Sequence, residues 1–240
     1  AQARSKENRG ASLGPRPEQF GDQVTADMII ENSLENVGMS EEPCALILVD
    51  RGTDYFDAYP LDDKSSDSVL KAYLDFAGPR DYIHELYSDS APELMKAAAD
   101  ATWISSTSAP GRPQSNGVAE RAVRSDKQGG RTALLKSGLG HKFWPRAVRH
   151  WCFSRNIRKK RPGPKHKLTG SFTNAYTLRN KGHGFSGKRI PFGALVDFKQ
   201  VPAKEKEAPN FNSKAVPGIM MGYHLSAGGR WRGDYLVAVS

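Results

Sequence analysis

The sequence predicts an α/β domain followed by a small β module. Three patterns carry this expectation. Residues 23–61 hold three strand-like segments in succession, after which the apolar spacing changes from two to the three-to-four repeat of a helix. Residues 158–190 are basic, rich in Gly and Pro and irregular, as a linker or extended arm is. Three short strand-like runs separated by turns then close the chain, which suggests a little barrel. The expected organisation is a linker over 1–20, a core domain over 21–160, a basic linker over 161–190 and the β module over 191–240.

Residues 1–20 are polar, contain Gly and Pro and show no periodicity. QVTADMII (Gln23–Ile30) reads as a strand, and CALILVD (Cys44–Asp50) is an apolar run of buried-strand length. Residues 55–61 alternate aromatic and small side chains as a third strand, with Asp50-Arg51-Gly52-Thr53-Asp54 as the hairpin connection. Over residues 65–76, Val69, Ala72, Tyr73 and Phe76 share one helical face, and residues 82–87 read as another short strand. Ser90 and Glu93 have capping-box spacing, so a helix is expected directly after Asp89, with residues 94–100 as its body and 102–104 as a strand. Pro113 can open the next helix, which carries Val118, Ala119, Ala122 and Val123 on one side and extends towards Leu135. Gly129 and Gly130 would each weaken it by about 1 kcal/mol relative to Ala, so a bend or break is expected there. Residues 143–157 read as an amphipathic helix entered through Pro145, and residues 195–201, 218–223 and 235–239 as the closing strands.

With 240 residues, of which 38% are hydrophobic and 25% charged, the chain can bury a real core, which excludes wholesale disorder. No apolar run approaches the ~20 residues that span a bilayer and no charged-then-apolar leader opens the sequence, so no membrane protein is expected. Two cysteines, Cys44 and Cys152, are too few for a disulfide scaffold and read as small buried hydrophobes in a reducing compartment. His84, His141, His150, His166, His183 and His224 are too scattered for a zinc site. The net charge of +9 is split unevenly: residues 1–120 carry 10 basic and 21 acidic side chains, residues 121–240 carry 25 and 5. Such a basic half points to a polyanionic partner. Its densest stretch is Arg158, Lys159, Lys160 and Arg161, followed by Lys165 and Lys167, which reads equally as a DNA-binding arm or a nuclear-import signal.

Strands followed by helices bring separated carboxylates together, and three acids sit at suitable places. Asp27 lies in the first strand, Asp89 at the end of a later one and Glu120 in the helix after the Pro-Gln loop. Two divalent ions about 3.5–4 Å apart need several shared oxygen ligands for phosphoryl transfer, and Mg²⁺ takes a few carboxylates while keeping its waters. Structural roles compete for the same residues. Asp89 suits a helix N-terminus, where its charge meets the dipole. Glu120 has the spacing of an ion pair with Arg124. Trp144, Trp151 and Phe153 read as helix packing rather than base stacking. Among 26 acids, spacing alone does not single out this triple.

The surrounding sequence does. Pro113-Gln114-Ser115-Asn116-Gly117-Val118-Ala119-Glu120-Arg121 strongly resembles the helix bearing the third acid of retroviral and retrotransposon integrases. Arg131-Thr132-Ala133-Leu134-Leu135, Phe143-Trp144-Pro145-Arg146-Ala147-Val148 and Asn156 are similar to the copia-type branch. Ser88-Asp89-Ser90-Ala91-Pro92-Glu93-Leu94 resembles that family's second-acid motif, and Asp50-Arg51-Gly52-Thr53-Asp54-Tyr55 its second-strand segment. Phe192-Gly193 and Gly218-Ile219-Met220-Met221-Gly222-Tyr223 resemble the small SH3-like module after the copia integrase core.

The resemblance implies an RNase H-like fold: a mixed five-stranded sheet flanked by helices, then the SH3-like module. It implies a catalytic triad of Asp27, Asp89 and Glu120 holding two Mg²⁺ or Mn²⁺ ions, with Asp27 preferred over Asp50 because the family's first acid lies on the preceding strand. The implied activity is that of a divalent-metal-dependent DNA strand transferase and endonuclease, processing DNA 3′ ends and joining them to target DNA. Its partners would be double-stranded DNA and further copies of the chain, and its location the nucleus or a cytoplasmic particle before nuclear entry. On the helical face of Glu120, Arg124 and Lys127 would meet DNA phosphates, Asn116 a terminal base, and Arg158, Lys159, Lys160 and Arg161 the duplex beyond, while Arg121 lies off that face and is expected to pair within the fold. Thirty residues separate Asp89 from Glu120, fewer than the family usually has, and no His-His-Cys-Cys module is present. The chain is therefore expected to be a fragment or a decayed copy, and the alternative function is a catalytically inactive DNA-binding relic.

Overall fold

The computed structural model describes residues 17–31, 36–107, 117–158, 160–162, 172–199 and 215–239. The three leading strand patterns form a meander: β1 (Gln23–Ile30), β2 (Cys44–Asp50) and β3 (Phe56–Leu61) pair antiparallel, with Val24 opposite Asp50 and Cys44 opposite Leu61. A crossover through α1 (Ser66–Ala77) brings β4 (Glu85–Ser88) parallel to β1, and α2 (Pro92–Asp100) brings β5 (Ile104–Thr107) parallel to β4. The sheet order is β3-β2-β1-β4-β5, a mixed five-stranded sheet. Every residue of β2 is buried, which is why CALILVD shows no polar alternation.

The strand period of two sorts the core into halves. Val24 and Ala26 join Leu46, Leu48, Tyr73 and Phe76 beneath α1 and α2. Ile29 joins Ala45, Ile47 and Phe56 beneath α3 (Gly117–Ser137) and α4 (Trp144–Arg158). Asp27 has the parity of Ile29 and therefore faces α3. Asn156 of α4 reaches the edge strand β3, where its Oδ1 accepts the Phe56 N–H at 3.2 Å and its Nδ2 donates to the Phe56 carbonyl at 2.7 Å. Both free backbone groups of one edge residue are thereby satisfied.

Two helix expectations are corrected. The capping box at Ser90 does not form: α2 begins at Pro92, with Ala91 as an N-cap that makes no side-chain bond. Proline takes the first helical position because it lacks the donor that would be orphaned there, and it holds its predecessor extended. Nor is α3 broken at Gly129-Gly130, since it runs uninterrupted over 21 residues. A Cβ on Gly129 would land inside the Trp151 indole, and one on Gly130 would meet Val148 Cγ1 at 2.8 Å. The pair is thus the contact face that lets α4 approach α3. Gly129→Val is expected to destabilise the chain by about 1–3 kcal/mol, since overpacking outweighs the gain in helix propensity. Denaturant unfolding checks this, and an unchanged midpoint would contradict the close approach.

Between α3 and α4 lies a buried acid. Asp126 is 0% exposed, its Oδ1 accepts the Cys152 thiol at 3.2 Å, and its Oδ2 has no partner. Burial pushes its carboxyl up to about 8, and burial likewise raises Asp57, 4.0 Å from Arg149, to about 6. Both folded-state values lie above the ordinary 3.8, so the folded chain holds protons that the unfolded chain releases. Their contribution is complete below about pH 4 and is lost as pH rises through 6 for Asp57 and 8 for Asp126. Unfolding free energy is expected to fall across that window by on the order of 1 kcal/mol per pH unit. Asp126→Asn should flatten the decline and raise the melting temperature at pH 8.

The stretch read as an irregular linker over residues 158–190 carries structure. β6 (Lys160–Pro162) pairs with β7 (Phe172–Asn174), and α5 (Ala175–Arg179) is capped by Asn174, whose Oδ1 accepts the Thr177 N–H at 2.8 Å. Polar composition hid a segment whose burial rests on few residues: Ala175 and Tyr176 face the core and Arg179 is 5% exposed. The β module follows, with β8 (Leu195–Lys199), β9 (Ala215–Ser226) and β10 (Arg230–Ala238) in the order β10-β9-β8. It packs on α4 through Phe153 and Tyr223, whose ring centres are 4.3 Å apart, and through His150, whose Nε2 lies 2.9 Å from the Ile190 carbonyl. No helix among the described residues is long and apolar enough to cross a membrane.

Candidate active site

Parallel pairing of β1 with β4 places Thr25 beside Tyr87, so two residues further along each chain Asp27 and Asp89 emerge at the same end of the sheet. α3 crosses that end from the side that Asp27 faces, with Glu120 in its first turn. Asp27, Glu120, Val123, Arg124, Lys127, Gln128 and Arg131 line one open cleft of about 390 Å³. Asp89 is exposed and does not line it, yet its charge reaches Asp27. Desolvation raises the Asp27 carboxyl above its ordinary value, and repulsion from Asp89 and Glu120 adds to this against the Met28 N–H and Lys127. Asp27 Oδ1 accepts that N–H at 2.7 Å.

The chemistry of the donor set fits a hard divalent cation. Burial and the nearby charges of Asp89 and Glu120 disfavour the ionised form of Asp27, a penalty that such a cation would relieve, and oxygen is the ligand such ions take. Among the described residues, no group of three His, Cys, Asp or Glu side chains stands ready to hold a metal ion. The three acids are within electrostatic reach and not assembled as a ligand set.

Asp50 has other work. It is 0% exposed, and its carboxylate accepts the Gly21 N–H at 3.0 Å and both the Thr53 N–H and hydroxyl at 2.6 Å. Those bonds close the β2–β3 turn and tie the incoming chain to it. Asp89 Oδ1 accepts the Ala91 N–H at 3.3 Å just ahead of α2.

The basic residues divide between places. Arg124 and Lys127 line the carboxylate cleft as expected from their spacing, and Arg131 joins them one turn on. The run Glu120, Arg124, Lys127, Arg131 has helical spacing, a signal the sequence contained. Arg121 does not pair within the fold: it is exposed, makes no ion pair among the described residues, and lines a second cleft with Arg51 and Arg155. Arg158 is exposed in the last turn of α4 and lies outside the carboxylate cleft. Lys160 and Arg161 contribute backbone to β6, while Asn116 and Lys159 lie outside the described residues. Cys44 and Cys152 are buried free thiols. Trp151 packs on α3, and Phe153 on the β module.

Comparison of the whole chain with solved structures bears on the fold. A chain of the simian T-cell lymphotropic virus intasome, in complex with PP2A regulatory subunit B56 gamma, matches with a TM-score of 0.52 and 15% identity over 89% of this chain and 72% of that one. The fold is that of a retroviral integrase core. The catalytic core domain of BIV integrase matches at TM-score 0.43 and 19% identity, covering 58% of this chain and 86% of that one. The HTLV-2 integrase catalytic core domain in complex with magnesium matches at 0.48 and 13%, covering 68% and 99%. No family model matches the chain, and no curated protein matches it. The integrase core fold is RNase H-like, and the three-stranded antiparallel sheet after it is a small β module.

Proposed function

We propose that this chain is the catalytic core of a copia-type retrotransposon integrase, followed by an SH3-like module, that processes DNA 3′ ends and joins them to target DNA in the nucleus. The observation that carries the reading is the cleft where Asp27 faces Glu120, within reach of the Asp89 charge and bordered by Arg124, Lys127 and Arg131. Mutually repelling carboxylates beside a row of cations suit a phosphodiester: the acids hold divalent cations and the cations hold the flanking backbone.

In this reading Asp27, Asp89 and Glu120 are the ligands of Mg²⁺ or Mn²⁺, which supplies Lewis-acid stabilisation of charge at the attacking and leaving oxygens. Asp27 is held by the sheet, and its bond from the Met28 N–H fixes the direction of one carboxylate oxygen. Glu120 rides on a helix anchored by Ala122 in the core, so its position follows that of the sheet. Arg124, Lys127 and Arg131 orient the strand through its phosphates, and further copies of the chain would pair the DNA ends. An inactive DNA-binding relic is the second reading, favoured by the absence of a ready three-ligand group among the described residues.

Strand transfer of a labelled oligonucleotide into plasmid with Mn²⁺ separates the two. Joined products are expected from the wild-type chain and lost in both Asp89→Asn and Glu120→Gln. Salt-sensitive DNA binding without joining, equal in all three proteins, would select the relic.

A further inference from the structure

At the pole of the sheet opposite Asp27 and Asp89, three distant segments enclose a cleft of about 170 Å³. They are the turn leading into β4 (residues 77–81), the end of α5 with the turn after it (179–183), and the β9–β10 connection (226–232). The turn leads into the N-terminal end of β4, whereas Asp89 follows its C-terminal end. Core and β module touch here directly: the Gly228 N–H donates to the Asp75 carbonyl at 2.6 Å, and a Cβ on Gly78 would meet Gly228 Cα at 2.7 Å. The cleft therefore exists only while the module is docked.

Its lining is cationic. Arg80, Arg179, Lys181, Arg230 and Arg232 face it together with His183, against Asp81 as the one acid. That acid is committed: Arg179 Nη1 lies 2.7 Å from its Oδ2 and Lys181 Nζ 3.1 Å from its Oδ1. Arg80, Arg230 and Arg232 are exposed and make no ion pair among the described residues. Buried Arg179 forms the wall: its Nη2 donates to the Phe76 and Ala77 carbonyls, and its Nε is buried without a partner.

Uncompensated guanidinium groups converging on a small cleft repel one another, and their planar forks match tetrahedral oxyanions. A monovalent anion would answer one of them, whereas a phosphate chain answers several. We propose that this cleft is a phosphate site, taking either the backbone of a nucleic-acid strand or a free oligophosphate, and that its occupancy clamps the β module to the core. Because the ligand contacts both sides of the seam, it binds the docked form and stabilises it.

The test titrates tripolyphosphate into the full chain by calorimetry and by thermal melting, for wild type, Arg80→Glu/Arg230→Glu and Arg80→Lys/Arg230→Lys. Saturable binding that raises the melting temperature is expected for wild type and, more weakly, for the lysine pair, which keeps the charge without the fork, with affinity at least about tenfold below wild type for the glutamate pair. Ligand-free melting should be alike in all three, since both side chains are exposed. Equal affinity for wild type and the glutamate pair would overturn the proposal, as would equal stabilisation by sulfate at matched ionic strength. The source is read in an Arg124→Glu/Lys127→Glu background, which silences the α3 row. If a short labelled oligonucleotide still binds there and loses affinity on Arg80→Glu/Arg230→Glu, the ligand is a nucleic-acid backbone; if only tripolyphosphate responds, it is a free oligophosphate.

Discussion

Asp27→Asn is expected to reduce strand transfer by on the order of 1,000-fold or more, because it removes several kcal/mol of charge stabilisation at the reacting phosphate. The same substitution should leave the fold intact. Asp27 is half-buried among repelling acids, and an amide of the same shape removes that repulsion while still accepting the Met28 N–H. Melting without metal is therefore expected to be equal or higher, and a rise in melting temperature with Mn²⁺ is expected for the wild-type chain and not for the variant. Asp50→Asn makes the opposite pattern. It weakens three buried hydrogen bonds and should cost about 1–3 kcal/mol of stability. Joining per folded molecule should survive it. If Asp27→Asn joins DNA as well as wild type while folded Asp50→Asn does not, the assignment of the first acid is wrong.

The second large effect is on stability. Arg179→Met is expected to cost about 3–5 kcal/mol, the range for removing one partner of a buried ion pair. The guanidinium pairs with Asp81, satisfies the last carbonyls of α1 at Phe76 and Ala77, and stacks 3.5 Å over the Phe20 ring. Lys181 keeps its own ion pair with Asp81, so the loss falls chiefly on the two carbonyls and the ring. At roughly 2–4 °C per kcal/mol for a chain of this size, the melting temperature should fall by about 10 °C. Arg179→Lys should recover only part of this, since an ammonium cannot fork between a carboxylate and two carbonyls. A double-mutant cycle with Asp81→Asn isolates the pair: coupling below about 0.5 kcal/mol would assign the loss to the carbonyls and the ring.

What the sequence disclosed follows the physics of each signal. Strand and helix periods reflect burial on a regular lattice, so β1 to β3 and α1 are legible from spacing alone, whereas α4 is not the amphipathic helix expected, because α3 buries one side of it and the β module another. The Gly129-Gly130 pair was misread because propensity is local, whereas the Trp151 ring that occupies its space comes from another helix. α5 is not foreseen because only Ala175, Tyr176 and Arg179 are buried in it, and arginine in a polar stretch looks like surface. The pairing of Asp27 with Asp89 depended on strand adjacency, which spacing does not encode; resemblance supplied the acids, and the β1–β4 register supplies their common end of the sheet. Arg131 was within reach of a helical-spacing argument carried one turn further.

The stack that joins α4 to the β module has an optical consequence. Phe153 meets Tyr223, Tyr223 meets Tyr235 and Phe185, and both of those meet Trp231. The other tryptophans, Trp103, Trp144 and Trp151, all precede the module in the chain. Emission from a chain keeping Trp231 alone would thus report the seam and little else. Undocking would part the half-buried indole from Phe185 while Tyr235, on the same strand, stays with it, a change in emission readable in a stopped-flow trace on the timescale of the motion itself.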